Sequence, residues 1–354
     1  VPFFAADGES LDLMEQGAIL HVQDAVKTFV VRRRSLRQVR MTALDGVSIS
    51  VRRGETVGLV GESGSGKSTL GRCVLHLLKL DQGKVLFDGQ EIHDLSEHNF
   101  RALRARIQMV FQNPITSFNP MMTIGQTLLD AMRLVKDMSA QEKKQRVLTL
   151  LDQVRLDERF VRLYPYEMSG GQLQRVALAR ALAPGPDFVF LDEPTAALDM
   201  SIRGQIINLL LQLQRQSELS FVFVSHDLRV IRYVADRIYV MYLGEIVETG
   251  DKQQVFTAPR HPYTRSLLAA TLIGQIDRRK IRHGSALSGE VVQKEEHYRG
   301  CKLYGRCRYA LEQCATEPQV LEEIRPGYWV RCWRAGELED TDWQKDRLIT
   351  RLSV

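Results

Sequence analysis

The sequence predicts an α/β protein: a phosphate-loop core around a mostly parallel sheet, a helical insertion, and a small cysteine-bearing C-terminal domain. Three observations carry this. Thr56-Val57-Gly58-Leu59-Val60 is a short apolar run that leads straight into Gly61-Glu62-Ser63-Gly64-Ser65-Gly66-Lys67-Ser68-Thr69 and then a helical pattern from Leu70 to Leu78. Phe188-Val189-Phe190-Leu191 is a continuous apolar run of the kind buried in a parallel sheet, and it ends on Asp192-Glu193. Between and beyond these, strand-like and helix-like segments alternate.

The chain has 354 residues, enough for two domains, with 44% hydrophobic and 26% charged residues, as in ordinary globular proteins. The net charge is +5, too small to argue for a nucleic-acid partner. From Pro259 onward there are 17 Lys and Arg against 13 Asp and Glu, so that stretch carries +4 of the +5. No apolar run approaches the roughly 18 to 20 residues needed to span a bilayer. Asp7, Glu9, Asp12 and Glu15 interrupt the start of the chain, which does not read as a signal peptide. The expectation is a cytoplasmic protein that reaches a membrane only through partner subunits.

In chain order, residues 1–17 read as a flexible acidic leader. Ile19–Val22 and Val26–Val30 read as strands, followed by a solvated loop bearing Arg32, Arg33, Arg34, Arg37 and Arg40. Val47–Val51 is a strand, and Val85–Phe87 with Asp88-Gly89 is a strand and tight turn. Ile107–Phe111 is a strand ending at Gln112. The pattern from Thr123 to about Arg162 is helical, within an inserted helical subdomain covering about 113–180. Met168-Ser169-Gly170-Gly171-Gln172 opens a further helix, which Pro184-Gly185-Pro186 ends. Ile206–Leu213 is helical, Phe221–Val224 a strand, Leu228–Val234 a helix, and Tyr239–Val247, broken at Gly244, a closing hairpin. His261-Pro262-Tyr263-Thr264 starts a helix to about Leu272, with a basic linker from Arg278 to His283 after it.

The glycine-rich turn before a helix start is a phosphate cradle. Glycines let backbone N–H groups turn toward an anion, and the helix N-terminus adds a positive dipole end. In such a loop Lys67 reaches the β- and γ-phosphates of a nucleoside triphosphate and the Ser68 hydroxyl joins a Mg²⁺ shell. Asp192, at the C-terminal end of its strand, faces the crevice where parallel sheets bind ligands, and is a second Mg²⁺ contact. Glu193 is placed to polarise an attacking water.

Six motifs stand in one order: Gly61–Thr69, Gln112, Met168–Gln172, Leu191-Asp192-Glu193-Pro194, Ala197-Leu198-Asp199 and Ser225-His226-Asp227. Together they resemble an ABC-transporter ATPase, with its phosphate-loop (RecA-like) core, over about residues 18–256. The resemblance implies that Gln112 is the Q-loop glutamine that contacts Mg²⁺ and the lytic water. It implies that Ser169, Gly170, Gly171 and Gln172 form the signature that grips a γ-phosphate held by the partner ATPase. Glu193 is similar to the catalytic base, His226 to the switch histidine, Asp199 to the D-loop aspartate, and Phe29 to the aromatic that stacks on adenine. Met168 departs from the family's more usual Leu or Phe, but stays apolar.

The tail narrows the resemblance. His261–Leu268 followed by a Cys-rich segment resembles the ATPases of oligopeptide, dipeptide and nickel importers, and Ser68-Thr69-Leu70-Gly71-Arg72 is more similar to the second ATPase of their pair. The implied partners are a sister ATPase, two membrane permeases and an extracytoplasmic binding protein, with the chain peripheral on the cytoplasmic face of the cell membrane. The cargo is expected to be peptide, with nickel, opines or another small solute as the alternative. A soluble ABC ATPase outside transport is disfavoured, since neither a second cassette nor a long coiled coil is present.

Of five cysteines, Cys73 reads as core packing. Cys301, Cys307, Cys314 and Cys332, with five, six and seventeen residues between them, read as metal ligands. Four thiolates suit zinc or an iron–sulfur cluster, although tight Cys-x-x-Cys knuckles are missing, and free thiols stay open. The family resemblance implies a [4Fe–4S] cluster that staples a C-terminal domain over 257–354.

Overall fold

Five strands run parallel through the centre of the protein. The computed structural model describes residues 17–32, 38–133, 135, 138–196, 198–273, 287 and 298–338. The leader up to residue 16, Arg33, Arg34, Arg37, Ala197 and the basic linker lie outside the described residues.

The N-terminal part forms an antiparallel sheet of β1 (Ala18–Arg32), β2 (Gln38–Arg52), β4 (Gln82–Phe87) and β5 (Gln90–Glu91), in the order β2-β1-β4-β5. The two strands expected at 19–22 and 26–30 are one strand. Its register slips between Val22 and Ala25, where Asp24 takes a left-handed φ of 44° and its N–H donates to Ser48 Oγ at 2.9 Å. That is a bulge, which breaks the sequence alternation while leaving the strand continuous. Asp88 and Gly89, at φ 52° and 75°, make the expected tight turn between β4 and β5.

With β11 at Glu322–Arg325 and β12 at Tyr328–Val330, the central sheet has the order β11-β12-β10-β9-β3-β8-β7-β6. Here β3 is Thr56–Val60, β6 Ile107–Val110, β7 Phe188–Asp192, β8 Ser220–Val224, β9 Arg237–Tyr242 and β10 Glu245–Asp251. The run from β9 to β6 is parallel, and β9 and β10 form the expected hairpin. Alternate residues serve two cores. Val57, Leu59, Phe188, Phe190, Val222 and Val224 pack toward the antiparallel sheet, while Val189, Leu191, Phe221 and Phe223 pack toward the helices. Both faces are therefore covered, which is why the middles of these strands are apolar without alternation.

The helices are α1 (Lys67–Val74), α2 (Glu97–Phe100), α3 (Ile124–Ala131), α4 (Ala140–Gln153), α5 (Gly170–Leu182), α6 (Met200–Ser217), α7 (Leu228–Val234), α8 (Lys252–Thr257) and α9 (Pro262–Ile273). Helix α1 lies close on β7: a Cβ on Gly71 would come within 2.5 Å of the Phe190 ring. The helical stretch expected from 123 to 162 is divided. Thr123 and Ser139 each cap a new helix through a reciprocal box with Gln126 and Glu142, and a 3₁₀ turn covers Glu158–Arg162. Caps outweigh the continuous apolar spacing because they satisfy helix-end N–H groups locally.

The C-terminal region extends the same sheet. Strands β11 (Glu322–Arg325) and β12 (Tyr328–Val330) had no clear signal in the sequence, yet β12 pairs antiparallel with β10 through Glu248↔Val330 and Thr249↔Trp329. Glu248 is the polar centre of this joint. It is fully buried, and its carboxylate accepts from the N–H groups of Arg260 (2.7 Å) and His261 (3.1 Å) and from the Tyr328 hydroxyl. Burial pushes its carboxyl above the usual carboxylate range, and these hydrogen bonds oppose that shift. Replacing Glu248 with Ala leaves the Arg260 and His261 N–H groups without an acceptor, while the Tyr328 hydroxyl keeps the Ala258 carbonyl at 2.9 Å. Glu248→Ala is therefore expected to lose about 2 kcal/mol or more of unfolding free energy in urea. A loss below about 0.5 kcal/mol would contradict this role.

Candidate nucleotide-binding site

The phosphate loop joins β3 to α1, and its shape depends on glycine at two positions. Gly66 has φ 108° and a Cβ there would lie 2.3 Å from the Ala43 carbonyl oxygen. A Cβ on Gly61 would lie 2.1 Å from the Met241 carbonyl oxygen. The loop is pressed against β2 and β9 at both ends, with no room for a side chain.

Lys67 sits at the first position of α1, 6% exposed. Its ammonium donates to the carbonyls of Gly61 and Glu62, both at 2.8 Å, and to Ser65 Oγ at 3.1 Å. Burial lowers its pKa, while Glu193, Asp192 and Glu62 pull the other way. Ser68 lies beside Asp192, and its hydroxyl holds down a carboxyl that burial raises. A hydroxyl and a carboxylate, both hard oxygen donors, are thus adjacent beside the loop, which suits Mg²⁺.

Glu193 follows β7 and takes a left-handed φ of 47°, rare for a residue with a Cβ. Its N–H donates to the Val224 carbonyl at 3.1 Å, tying the ends of β7 and β8. Its Oε2 accepts from Gln112 Nε2 at 3.1 Å and lies 3.3 Å from His226 Nδ1. Gln112 arrives from the end of β6 and His226 from the end of β8, so three strand ends converge on one carboxylate oxygen.

A pocket of ≈ 240 Å³ opens between the phosphate loop and the end of β1. Phe29, Ser63, Gly64, Gly66, Lys67, Ser68, Thr69, Gln112 and Glu193 line it. Gly61, Glu62 and Ser65 reach the site through Lys67, Asp192 through Ser68, and His226 through Glu193. The lining also includes residues the sequence did not single out: Met41, Thr42, Ala43 and Asp45 from β2, Leu243 from the β9–β10 turn, and Tyr298 and Lys302 from the C-terminal region.

Ser169, Gly170, Gly171, Gln172 and Asp199 do not line this pocket. Ser169 caps α5, accepting from the Gln172 N–H at 3.3 Å while Gln172 Oε1 accepts from the Ser169 N–H at 2.9 Å. A Cβ on Gly170 would meet nothing within 4 Å, so this helix start is open to an incoming group. Asp199 caps α6 through the Ile202 N–H at 3.0 Å.

The four tail cysteines, Cys301, Cys307, Cys314 and Cys332, line one small cavity together with His261. Burial pushes the thiols of Cys301 and Cys332 to about 12 and raises that of Cys307. Among the described residues, however, no three His, Cys, Asp or Glu side chains come close enough together to hold a metal ion. The donor set suits a soft metal; its spacing here does not close a coordination shell. Cys73 is buried in the core beneath the antiparallel sheet, as expected.

A parallel sheet covered by an antiparallel sheet on one face and by helices on the other, with a phosphate loop facing a strand-end glutamate, defines a nucleotide-hydrolysing cassette. Residues 44–196 match the ABC transporter family model, and residues 247–314 match that of the oligopeptide/dipeptide transporter C-terminal region. The chain is 40% identical over 321 residues to a putative peptide import ATP-binding protein of Brucella ovis, covering 91% of this chain and 99% of that one. It is 40% identical to the oligopeptide transport ATP-binding protein AppF of Bacillus subtilis (90% and 97% covered) and 43% identical to OppF of Escherichia coli (80% and 85% covered). A dimeric ATP-binding cassette solved in a post-hydrolysis state with ADP and Pi superposes with a TM-score of 0.59 at 32% identity, over 66% of this chain and 98% of that one. The chain belongs to the ABC transporter ATP-binding proteins, in the branch that carries the oligopeptide/dipeptide transporter C-terminal region.

The loop geometry makes a direct forecast. Gly66→Ala forces a left-handed φ on a residue with a Cβ and drives that Cβ into the Ala43 carbonyl. It is expected to abolish nucleotide binding in a titration and to lower stability by about 2 kcal/mol or more. Binding within twofold of the unsubstituted protein would contradict this account of the loop.

Proposed function

We propose that this chain binds and hydrolyses ATP as a subunit of an ABC importer and energises peptide uptake through partner membrane permeases. The observation that carries the reading is the convergence of Gln112 and His226 on Glu193 Oε2, beside a buried Lys67 and the Ser68–Asp192 pair. Among the described residues no helix is long and apolar enough to cross a membrane, so the membrane path belongs to other subunits. The names of the Brucella, Bacillus and Escherichia relatives support peptide as the cargo over nickel or opines.

In this reading the adenine stacks on Phe29, and the backbone N–H groups of Ser63–Thr69 and the α1 N-terminus hold the phosphates. Lys67 exchanges its loop carbonyls for the β- and γ-phosphate oxygens. Ser68, Asp192 and Gln112 would hold Mg²⁺, which would neutralise charge on the phosphate oxygens. Glu193 takes a proton from a water whose oxygen bonds to the γ-phosphorus as the P–O bond to ADP breaks, so that ADP and inorganic phosphate leave and the proton passes on to solvent. His226 donates toward the γ-phosphate and keeps the Glu193 carboxylate in place. Ser169–Gln172 and Asp199 lie off this pocket, which supports their serving a nucleotide on a sister ATPase. We place the working unit as a heterodimer on two permeases at the cytoplasmic face of the membrane, fed by an extracytoplasmic binding protein.

Glu193→Gln keeps the shape of the side chain and removes its basicity. It is expected to retain ATP binding and to lower turnover in the assembled complex by about 10²- to 10⁴-fold. Unchanged turnover would remove Glu193 from the base role.

We also infer that the Cys301, Cys307, Cys314 and Cys332 cavity would hold a structural [4Fe–4S] cluster once the four thiols draw closer together than they stand in this structure. Its support is the four-thiol donor set on one cavity in a branch whose members share this tail region. No step of hydrolysis is routed through it. Protein purified without oxygen is expected to be brown and to contain about four irons per chain. A colourless, iron-free preparation would end the assignment.

A further inference from the structure

Glu62, the second residue of the phosphate loop, is held at three points. Its carbonyl accepts from Lys67 Nζ at 2.8 Å. Its N–H donates to the Tyr263 hydroxyl at 2.7 Å. Its carboxylate is gripped by Arg306, Nη1 to Oε2 at 3.2 Å and Nη2 to Oε1 at 3.4 Å. Two of the three partners therefore come from the C-terminal region.

Arg306 lies on the 3₁₀ turn Tyr304–Arg306, between Cys301 and Cys307. Its guanidinium also reaches the Tyr242 hydroxyl at 3.2 Å, and the Tyr242 and Tyr263 rings pack with centroids 4.5 Å apart. Lys302, four residues earlier, lines the nucleotide pocket itself and is almost buried, 9% exposed. Its ammonium donates to Asp45 Oδ2 at 2.6 Å and the Leu243 carbonyl at 2.9 Å, with Glu245 Oε1 at 3.5 Å. One turn thus presents a cation in the pocket wall and another behind the loop.

We propose that the turn between Cys301 and Cys307 sets the affinity of the phosphate loop for nucleoside triphosphate, with Lys302 as a pocket residue and Arg306 as a positioning residue acting through Glu62. The proposal rests on the nucleotide reading above. A triphosphate brings several negative charges to a loop that itself carries a carboxylate. Arg306 neutralises Glu62 with a planar two-point grip and fixes the peptide whose carbonyl holds Lys67. Lys302 offsets Asp45 and Glu245, so the pocket wall does not repel the same anion. The cassette and the tail are then one binding site.

The test is titration of the full chain with a fluorescent N-methylanthraniloyl ATP analogue and Mg²⁺, with thermal unfolding recorded for every variant. Arg306→Met is expected to weaken binding about tenfold, and Arg306→Lys to recover part of that loss. Glu62→Gln combined with Arg306→Met is expected to bind as Glu62→Gln alone does, because the charge that Arg306 compensates is gone. Lys302→Met is expected to weaken binding about threefold to tenfold. Additive losses in the double variant, or Arg306→Met within twofold of the unsubstituted protein, would overturn the positioning role. If Arg306→Met does not fold, Arg306→Lys and Lys302→Met decide, and binding by both within twofold of the unsubstituted protein overturns the proposal. Lys67→Ala serves as the control. If the unsubstituted protein binds no better than Lys67→Ala, the nucleotide reading itself fails. If it binds well and the turn variants match it, only this proposal fails.

Discussion

A buried ammonium with its protons held by the loop around it is the constraint that organises this protein. Lys67 lies at the start of α1, against Asp192 and Glu193, and burial lowers its pKa. An isolated charge in that position costs several kcal/mol. It is tolerated because Gly61, Glu62 and Ser65 turn their oxygens inward. That curvature needs glycine at 61 and 66, since β2 and β9 press against the loop from outside. The parallel strands supply the rest: their ends bring Gln112, Asp192, Glu193 and His226 to the rim of the same cradle.

The two-sided cover of the central sheet explains how the site is kept rigid. Antiparallel strands and α1 close one face and the remaining helices the other, so β3, β7 and β8 cannot shift without disturbing a core. Loops at the strand ends can then differ in mobility without moving the side chains rooted in the strands. The helical insertion hangs from the same ends, beyond Gln112, and its caps at Thr123, Ser139 and Ser169 make its helices separate bodies.

The parallel strands and the phosphate loop could be read from the chain because their signals are local: an apolar run, glycines at fixed offsets, a carboxylate at a strand end. Phe29 lines the pocket, although β1 itself was read as two strands, since a bulge at Asp24 interrupts alternation without ending pairing. The division of the 123–162 stretch turned on capping boxes, which a spacing argument underweights. What the sequence concealed is long-range. Strand β12 has three residues and pairs across 80 positions, and Tyr263 and Arg306 meet Glu62 across 201 and 244. No window of sequence contains both partners of such a contact, and a basic residue between two cysteines has no signature of its own.

The backbone at Glu193 has a consequence for how such cassettes age. A residue with a Cβ held at φ 47° costs on the order of 1–3 kcal/mol, and glycine would relieve it. At this one position, relief of the backbone and the base that the proposed mechanism needs point in opposite directions. A lineage released from the need to hydrolyse could therefore trade the carboxylate, with its Gln112 and His226 contacts, for a relaxed backbone.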